Sequence, residues 1–281
     1  MLQRGIIAGL SFEYSVSEKK MHTTPDTRPA VVLLHSSLSS RSQWATLMAE
    51  QEANFRFIAI DLLGYGKSAF PTEAAAAGYT LAHEADAVAA ALASHLDAGE
   101  PFHLVGHSYG GATALRLARQ MRERLLSLTV FEPVAFHLLP GSDAGRQEIE
   151  AVVATINAAS TAEDATRTFI DYWNRAGAFD SLPEVQRQRF THGIAKVKLD
   201  FVALLGEPAT TADMAQLDVP ALVMAGAKGP ASTRRVAEAL AAALPQAQFM
   251  LTAGGHMAPI THAPAVNEAL LGFLENQRLI A

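Results

Sequence analysis

Residues 102–115 read FHLVGHSYGGATAL, and the chain changes character twice within them. FHLVG is apolar without alternation, as a strand covered on both faces should be, whereas ATALRLARQM (112–121) carries its apolar side chains at helical spacing. Between the two stand Gly106, His107, Ser108, Tyr109 and Gly110, a G-x-S-x-G pattern, followed by a third glycine, Gly111. For Ser108 to occupy so tight a turn, the residues two before and two after it must be glycine, or strand and helix would overlap. The turn lifts the Ser108 hydroxyl out of the sheet and sets it at a helix N-terminus, where the N–H groups of Tyr109 and its neighbours favour negative charge. An ordinary helix cap is the plain alternative. Strand, turn and three glycines together favour a nucleophile.

Outward from this turn, short apolar runs alternate with longer helical patterns, which points to parallel strands joined by crossover helices. The expected strands are AVVLL (30–34), FIAI (57–60), FHLVG (102–106), SLTVFE (127–132), ALVMAG (221–226) and AQFMLT (247–252). LAHEADAVAAALASHL (81–96) and STRRVAEALAAAL (232–244) are expected helices, and GIIAGLSFEYSVS near the start suits one or two antiparallel strands at a sheet edge. TEAAAAGYT (72–80) reads as a surface loop. The alternation stops between Pro133 and Leu217, where IEAVVATINAA, AEDATRTFIDYWNRAG, EVQRQRFTHGIAKVK and DFVALL all read as helices. The expected architecture is therefore α/β, a mostly parallel central sheet with helices on both faces and an all-helical insertion. Residues 1–133 and 217–281 form the core, and 134–216 the insertion.

Composition excludes several function classes. With 49% hydrophobic and 18% charged residues the chain is too apolar for disorder, yet it lacks an unbroken apolar run long enough to span a membrane. A net charge of -6 gives no electrostatic reason to expect nucleic acid or an anionic membrane as partner. Arg116, Arg119, Arg122 and Arg124 suit the wet side and end of one helix instead. The absence of cysteine removes thiol catalysis and thiolate metal sites and suits a reducing compartment, so cytoplasm is the expected location. MLQRGIIAGLSFEYS lacks a secretory core and a small-residue cleavage pattern, and is read as mature sequence. GYGKS ends like a phosphate-binding loop, but Asp61 stands where that loop needs its first glycine, and HEADA (83–87) lacks the second histidine of a zinc-protease helix. Neither a nucleotide, a cofactor nor a metal is expected.

Three further stretches, in order along the chain, make it resemble the α/β-hydrolase superfamily. VVLLHSSLSSRSQW is similar to that family's strand, His-Gly-x and following Trp at His35, Ser36, Ser37 and Trp44; AIDLLGYGKS resembles its Asp-x-x-Gly-x-Gly-x-Ser at Asp61, Gly64, Gly66 and Ser68; TAGGHMAP resembles its Gly-His loop at His256. A serine hydroxyl needs a base within hydrogen-bond reach. His256, in a glycine-rich loop just past a strand, can reach the sheet end that carries Ser108, whereas His107 points away from its neighbour and His103 lies within a strand. The resemblance assigns the oxyanion hole to the backbone N–H groups of Tyr109 and Ser37. Ser36 stands where the family has Gly, so its side chain either narrows the hole or adds a donor.

The resemblance also implies an acid between nucleophile and histidine in chain order, most often in the loop after the penultimate strand. Here that loop is GAKGPAS, without a carboxylate. Asp218 precedes the strand and Glu238 lies inside the next helix. The family's second solution places the acid at the end of the preceding strand, which here is Glu132. A parallel strand delivers its last residue to the rim that carries Ser108, and Pro133 then stops the ladder. Glu132 as triad acid, Glu132 as a mere loop anchor, a Ser-His dyad, and an acid from the insertion such as Asp143 are the readings open at this stage.

By the same resemblance the insertion is a lid, with the substrate between lid and sheet. Phe136, Phe169, Tyr172, Trp173, Phe179 and Phe201 are candidates to line an apolar pocket, with Ser36, Phe136 and Trp173 the expected substrate contacts; helical spacing also suits each aromatic as internal core. The implied activity is cleavage of a small, partly apolar carboxylic ester through an acyl-enzyme. Lactone, thioester or carbon–carbon hydrolysis and acyl transfer share the constellation, and a ligand-binding protein on a hydrolase fold is the alternative of another class.

Overall fold

The computed structural model describes the backbone of residues 2–7, 10–16 and 26–278, and the side chains of residues 26–277 apart from Ala74. Eight strands form one sheet in the order β1-β2-β4-β3-β5-β6-β7-β8. They are β1 (Leu2–Ile7), β2 (Leu10–Val16), β3 (Ala30–Leu34), β4 (Arg56–Ile60), β5 (Phe102–His107), β6 (Leu125–Phe131), β7 (Ala221–Gly226) and β8 (Ala247–Thr252). β1 and β2 run antiparallel at one edge; the remaining six are parallel. The edge strands expected from GIIAGLSFEYSVS are thus present, with Ala8, Gly9 and Ser17 outside the described residues.

The helices are α1 (Ala45–Gln51), α2 (Glu73–Ala76), α3 (Leu81–Ala93), α4 (Tyr109–Gln120), α5 (Ala144–Ala158), α6 (Ala162–Trp173), α7 (Glu184–Leu205), α8 (Thr211–Met214), α9 (Ala231–Ala243), α10 (Ala258–Thr261) and α11 (Ala263–Arg278). Side chains alternate across the strands, so the sheet packs on two cores. On one face Val32, Leu34 and Val130 share a core with Val88 of α3, Leu115 of α4 and Leu240 of α9. On the other, Val31, Leu33 and Phe131 pack with Leu47 of α1 and with Leu270 and Leu274 of α11. Helices therefore cover both faces.

Between β6 and β7 the described residues form helices and no strand. Asp143 and Thr161 start α5 and α6 by accepting the N–H groups of Gly145 and Asp164, at 2.8 and 3.0 Å. The two helices expected from EVQRQRFTHGIAKVK and DFVALL are one helix of 22 residues, since nothing at Lys198–Leu199–Asp200 breaks the ladder. TEAAAAGYT is not all loop: Thr72 caps the single helical turn of α2. β8 departs from the expectation of cover on both faces. As the edge strand it leaves Phe249, Met250 and Leu251 about two-fifths exposed, at 39%, 39% and 44%. No helix among the described residues is long and apolar enough to cross a membrane.

Candidate active site

At the end of β5 the chain reverses direction within one residue. Ser108 has φ 56° and ψ -119°, a conformation that side-chain-bearing residues rarely adopt, and its N–H donates to the Phe131 carbonyl at 3.0 Å. The flanking glycines are sterically required. A Cβ on Gly106 would lie 2.4 Å from the Gly110 oxygen, and one on Gly110 would lie 2.4 Å from the His35 oxygen. α4 thus packs directly on β5 and β3, and the hydroxyl of Ser108 stands above its N-terminus.

His256, on the loop after β8, comes to the same rim. Its Nε2 lies 2.9 Å from Ser108 Oγ and its Nδ1 2.7 Å from Glu132 Oε2. All three side chains are buried: Ser108 at 6%, His256 at 2% and Glu132 at 0% exposure. Because the carboxylate accepts at Nδ1, the proton sits on that nitrogen and Nε2 is free to accept from the hydroxyl. The loop of His256 is fixed from behind by His107, whose Nε2 donates to the His256 carbonyl at 2.9 Å. Burial holds the His107 pKa well below the ordinary value, and its Nδ1 lies 3.3 Å from Gln43 Oε1.

Glu132 itself follows β6 with φ 39°, a second strained residue at the rim. The loop after β7, which carries no acid, is built around its carboxylate. Gly226 N–H donates to Oε1 at 2.8 Å and Thr233 Oγ1 to Oε2 at 2.8 Å, while the Glu132 N–H is held by the Met224 carbonyl at 2.8 Å. Gly229 supplies the room: a Cβ there would meet Oε1 at 2.1 Å. Sequence reasoning singled out neither Gly229 nor Thr233, although a glycine in a loop missing its acid was the available signal. The rival acids lie elsewhere. Asp143 caps α5 and pairs with Arg235 at 2.8 Å, Asp218 accepts from Gln246, and Glu238 pairs with Arg234 on α9.

The loop after β3 forms the opposite wall. His35 anchors it by donating from Nδ1 to the Ser36 carbonyl at 2.7 Å and accepting the Leu62 N–H on Nε2 at 3.0 Å. Ser36, in the position the family gives to glycine, turns its hydroxyl to Gln43 Oε1 at 3.1 Å, and its N–H donates to the same oxygen at 3.2 Å. The Ser37 hydroxyl donates to Asp200 on α7 at 2.7 Å. The backbone N–H groups of Ser37 and Tyr109 donate to no other described group.

A small cavity of about 10 Å³ lies over Ser108, lined by Ser37, Val134, Phe169, Trp173, Val197, Asp200, Phe201 and Leu204. Trp173 stacks on the imidazole of His256, with ring centroids 4.1 Å apart and planes at 28°. Of the aromatics expected at the pocket, Phe169, Trp173 and Phe201 line it; Phe136 and Phe179 are fully buried away from it, and Tyr172 turns its hydroxyl to Ser232 at 2.6 Å. Ser36 is likewise not among the lining residues. A larger cleft, about 390 Å³, is lined by Arg41, Met48, Glu52 and Phe57 near α1 and holds none of Ser108, Glu132 and His256, so the smaller cavity is the one with chemistry beside it.

Residues 29–263 match the model of the α/β hydrolase fold family. Over 124 residues the chain is 34% identical to a probable lysophospholipase, BODYGUARD 1 of Arabidopsis thaliana; this covers 42% of the chain and 25% of that protein, so the chain matches about a quarter of that relative's length. It is 27% identical over 255 residues to the pimeloyl-[acyl-carrier protein] methyl ester esterase of Chromobacterium violaceum, covering 89% of the chain and 95% of the relative. The solved enol-lactonase of Burkholderia xenovorans superposes with a TM-score of 0.77 at 20% identity, covering 97% of this chain and all (100%) of that one. An eight-stranded sheet in this order, helices on both faces and a family match from before β3 to the last helix have one meaning: the chain belongs to the α/β hydrolase fold family.

Proposed function

We propose that the protein is a serine hydrolase that cleaves a small, partly apolar carboxylic ester through an acyl-enzyme. One observation carries this reading: three buried groups from distant parts of the chain form a continuous series, Oγ to Nε2 at 2.9 Å and Nδ1 to Oε2 at 2.7 Å. A hydroxyl is a weak nucleophile until a base takes its proton, and an imidazole is a better base when a fixed carboxylate stabilises its charged form. In the proposed reaction Ser108 Oγ bonds to the ester carbonyl carbon as its proton passes to His256 Nε2. Glu132 accepts from Nδ1 throughout. The carbonyl oxygen gains charge against the N–H groups of Ser37 and Tyr109, donors that need no reorganisation and are worth about a hundredfold to a thousandfold each. His256 then protonates the departing alkoxide, the ester C–O bond breaks, and the acyl group remains on Ser108. Water attacks that acyl group by the same proton route, which releases the acid and restores the hydroxyl.

The names of the relatives support an ester bond, open in an esterase or closed in a lactone, and the apolar lining by Val134, Phe169, Trp173 and Phe201 suits an acyl group free of charge. The helices of residues 134–216 act as the lid over a core of 1–133 and 217–281. A cavity of about 10 Å³ has room for about one water, so substrate entry requires α6 and α7 to shift and Trp173 to leave the His256 ring.

The test uses short p-nitrophenyl esters and a fluorophosphonate probe. Wild type is expected to release nitrophenol and to be labelled at Ser108, and Ser108→Ala to lose turnover on the order of a millionfold. A folded wild type that neither labels nor turns over is instead a ligand-binding protein.

A further inference from the structure

Beneath the Ser37 loop lies an assembly of charges that the proposed reaction does not use. Lys196 and Asp200, one turn apart on α7, are 0% and 1% exposed, and Glu84 on α3 is 0% exposed. Lys196 Nζ contacts Asp200 Oδ1 and, at 3.3 Å, Glu84 Oε2. The same ammonium lies 4.9, 4.9 and 4.7 Å from the ring centres of Tyr65, Tyr79 and Tyr109, an aromatic cage that replaces part of its hydration. The carboxylates also accept from four hydroxyls and one amide. Ser37 Oγ donates to Asp200 Oδ2 at 2.7 Å, as does Tyr65; Tyr79 and Tyr109 donate to Glu84 Oε2 at 2.5 and 3.0 Å, and Leu63 N–H to Oε1 at 2.7 Å.

Two of these partners, Ser37 and Tyr109, are the residues whose backbone N–H groups the proposed mechanism aims at the oxyanion. Their side chains are the two ends of one series: Ser37 hydroxyl, Asp200, Lys196, Glu84, Tyr109 hydroxyl. α7 also grips the loop next door. Leu38 holds φ 58°, and its side chain lies where a Cβ on Gly193 would come within 2.4 Å. Apolar side chains of the same volume would avoid the loss of hydration, at the cost of leaving the hydroxyls of Tyr65, Tyr79 and Tyr109 and the Leu63 N–H without these acceptors. What apolar side chains cannot do is fix two donors to a set separation. Burial raises the hydroxyl pKa of Tyr65, Tyr79 and Tyr109 well above the ordinary value, so each stays a donor.

We propose that Asp200, paired with Lys196, is a positioning residue of the oxyanion hole: through the Ser37 hydroxyl it sets the Ser37 N–H, and through Lys196 and Glu84 it ties that N–H to the one on Tyr109. This rests on the serine-hydrolase reading above. It also makes α7 a working part of the reaction as well as a cover, because movement of the helix moves the donor.

The experiment measures kcat and KM on p-nitrophenyl butyrate, together with inhibition by a trifluoromethyl ketone whose adduct places an oxyanion in the hole, for wild type, Ser37→Ala, Asp200→Asn and the double variant. Each single change is expected to lower kcat about tenfold and weaken the ketone by the same factor, with KM within about twofold of wild type. The double variant is expected to fall no further than the worse single one, as for two ends of one interaction. Losses that multiply, or a ketone affinity that does not move while thermal stability falls, overturn the proposal and leave a merely structural pair. Should Asp200→Asn not fold, Ser37→Ala decides by the same readouts, since it removes one hydroxyl and keeps the N–H; unchanged kcat and ketone affinity there overturn the proposal. Ser108→Ala in the same assay separates the two readings. Retained turnover in that variant overturns both, whereas abolished turnover beside an unaffected Ser37→Ala overturns the positioning role alone.

Discussion

The end of β6 and the loop after β7 lie side by side at one rim of the sheet and handle the same carboxylate in opposite ways. β6 supplies it: Glu132 leaves the strand at φ 39° and sends its side chain sideways across the rim. The end of β7, the loop after it and the first turn of α9 supply only what surrounds it, the Gly226 N–H, the space over Gly229 and the Thr233 hydroxyl. A loop with no acid of its own is here shaped to receive one from a neighbour. The comparison also explains why glycines recur at this rim for unlike reasons. Gly106 and Gly110 let backbone approach backbone, and Gly229 lets a foreign side chain in.

Two substitutions press on that difference. Gly229→Ala puts a methyl group 2.1 Å from the position of Glu132 Oε1. A carboxylate can swing aside with little cost to the fold, but the swing breaks its bonds to His256 and Gly226, so turnover is expected to fall on the order of a hundredfold to a thousandfold while the melting temperature moves little. Steady-state kinetics beside a thermal melt check it; a large drop in melting temperature with normal kcat would make Gly229 a folding residue. The smaller effect is a transfer of the acid from one segment to the other. In a Glu132→Ala background, Gly229→Asp returns a carboxylate close to the vacated position, and a rescue of about tenfold to a hundredfold over Glu132→Ala alone is expected. Equal rates with and without Gly229→Asp would mean that the β7 loop does not face His256.

Much of this site was legible because its requirements are local. The turn at Ser108 needs glycines at fixed offsets, and a parallel strand ending in Glu132-Pro133 has one rim at which to end. The support for Glu132 was not legible, because Thr233 reads as an ordinary first-turn residue of a helix and Gly229 as an ordinary loop glycine until another segment is laid across them. Lys196 and Asp200 were hidden for a related reason. The sequence places them on two separate expected helices, and only the packing of the single helix α7 over Tyr65, Tyr79 and Tyr109 brings them together in the interior. The exposed apolar residues of β8 likewise depend on which neighbours a segment meets, which its own residues do not record.

The central claim is that the carboxylate at the end of β6 orients and stabilises the base. Glu132→Gln keeps the shape of the side chain, but its amide offers one acceptor oxygen where the carboxylate uses two, Oε1 for Gly226 and Oε2 for Thr233 and His256, and the fixed negative charge beside His256 is gone. Measured as kcat on a p-nitrophenyl ester, with circular dichroism to confirm the fold, this variant is expected to lose about ten-thousandfold. A folded Glu132→Gln protein that turns over within about tenfold of wild type contradicts the account.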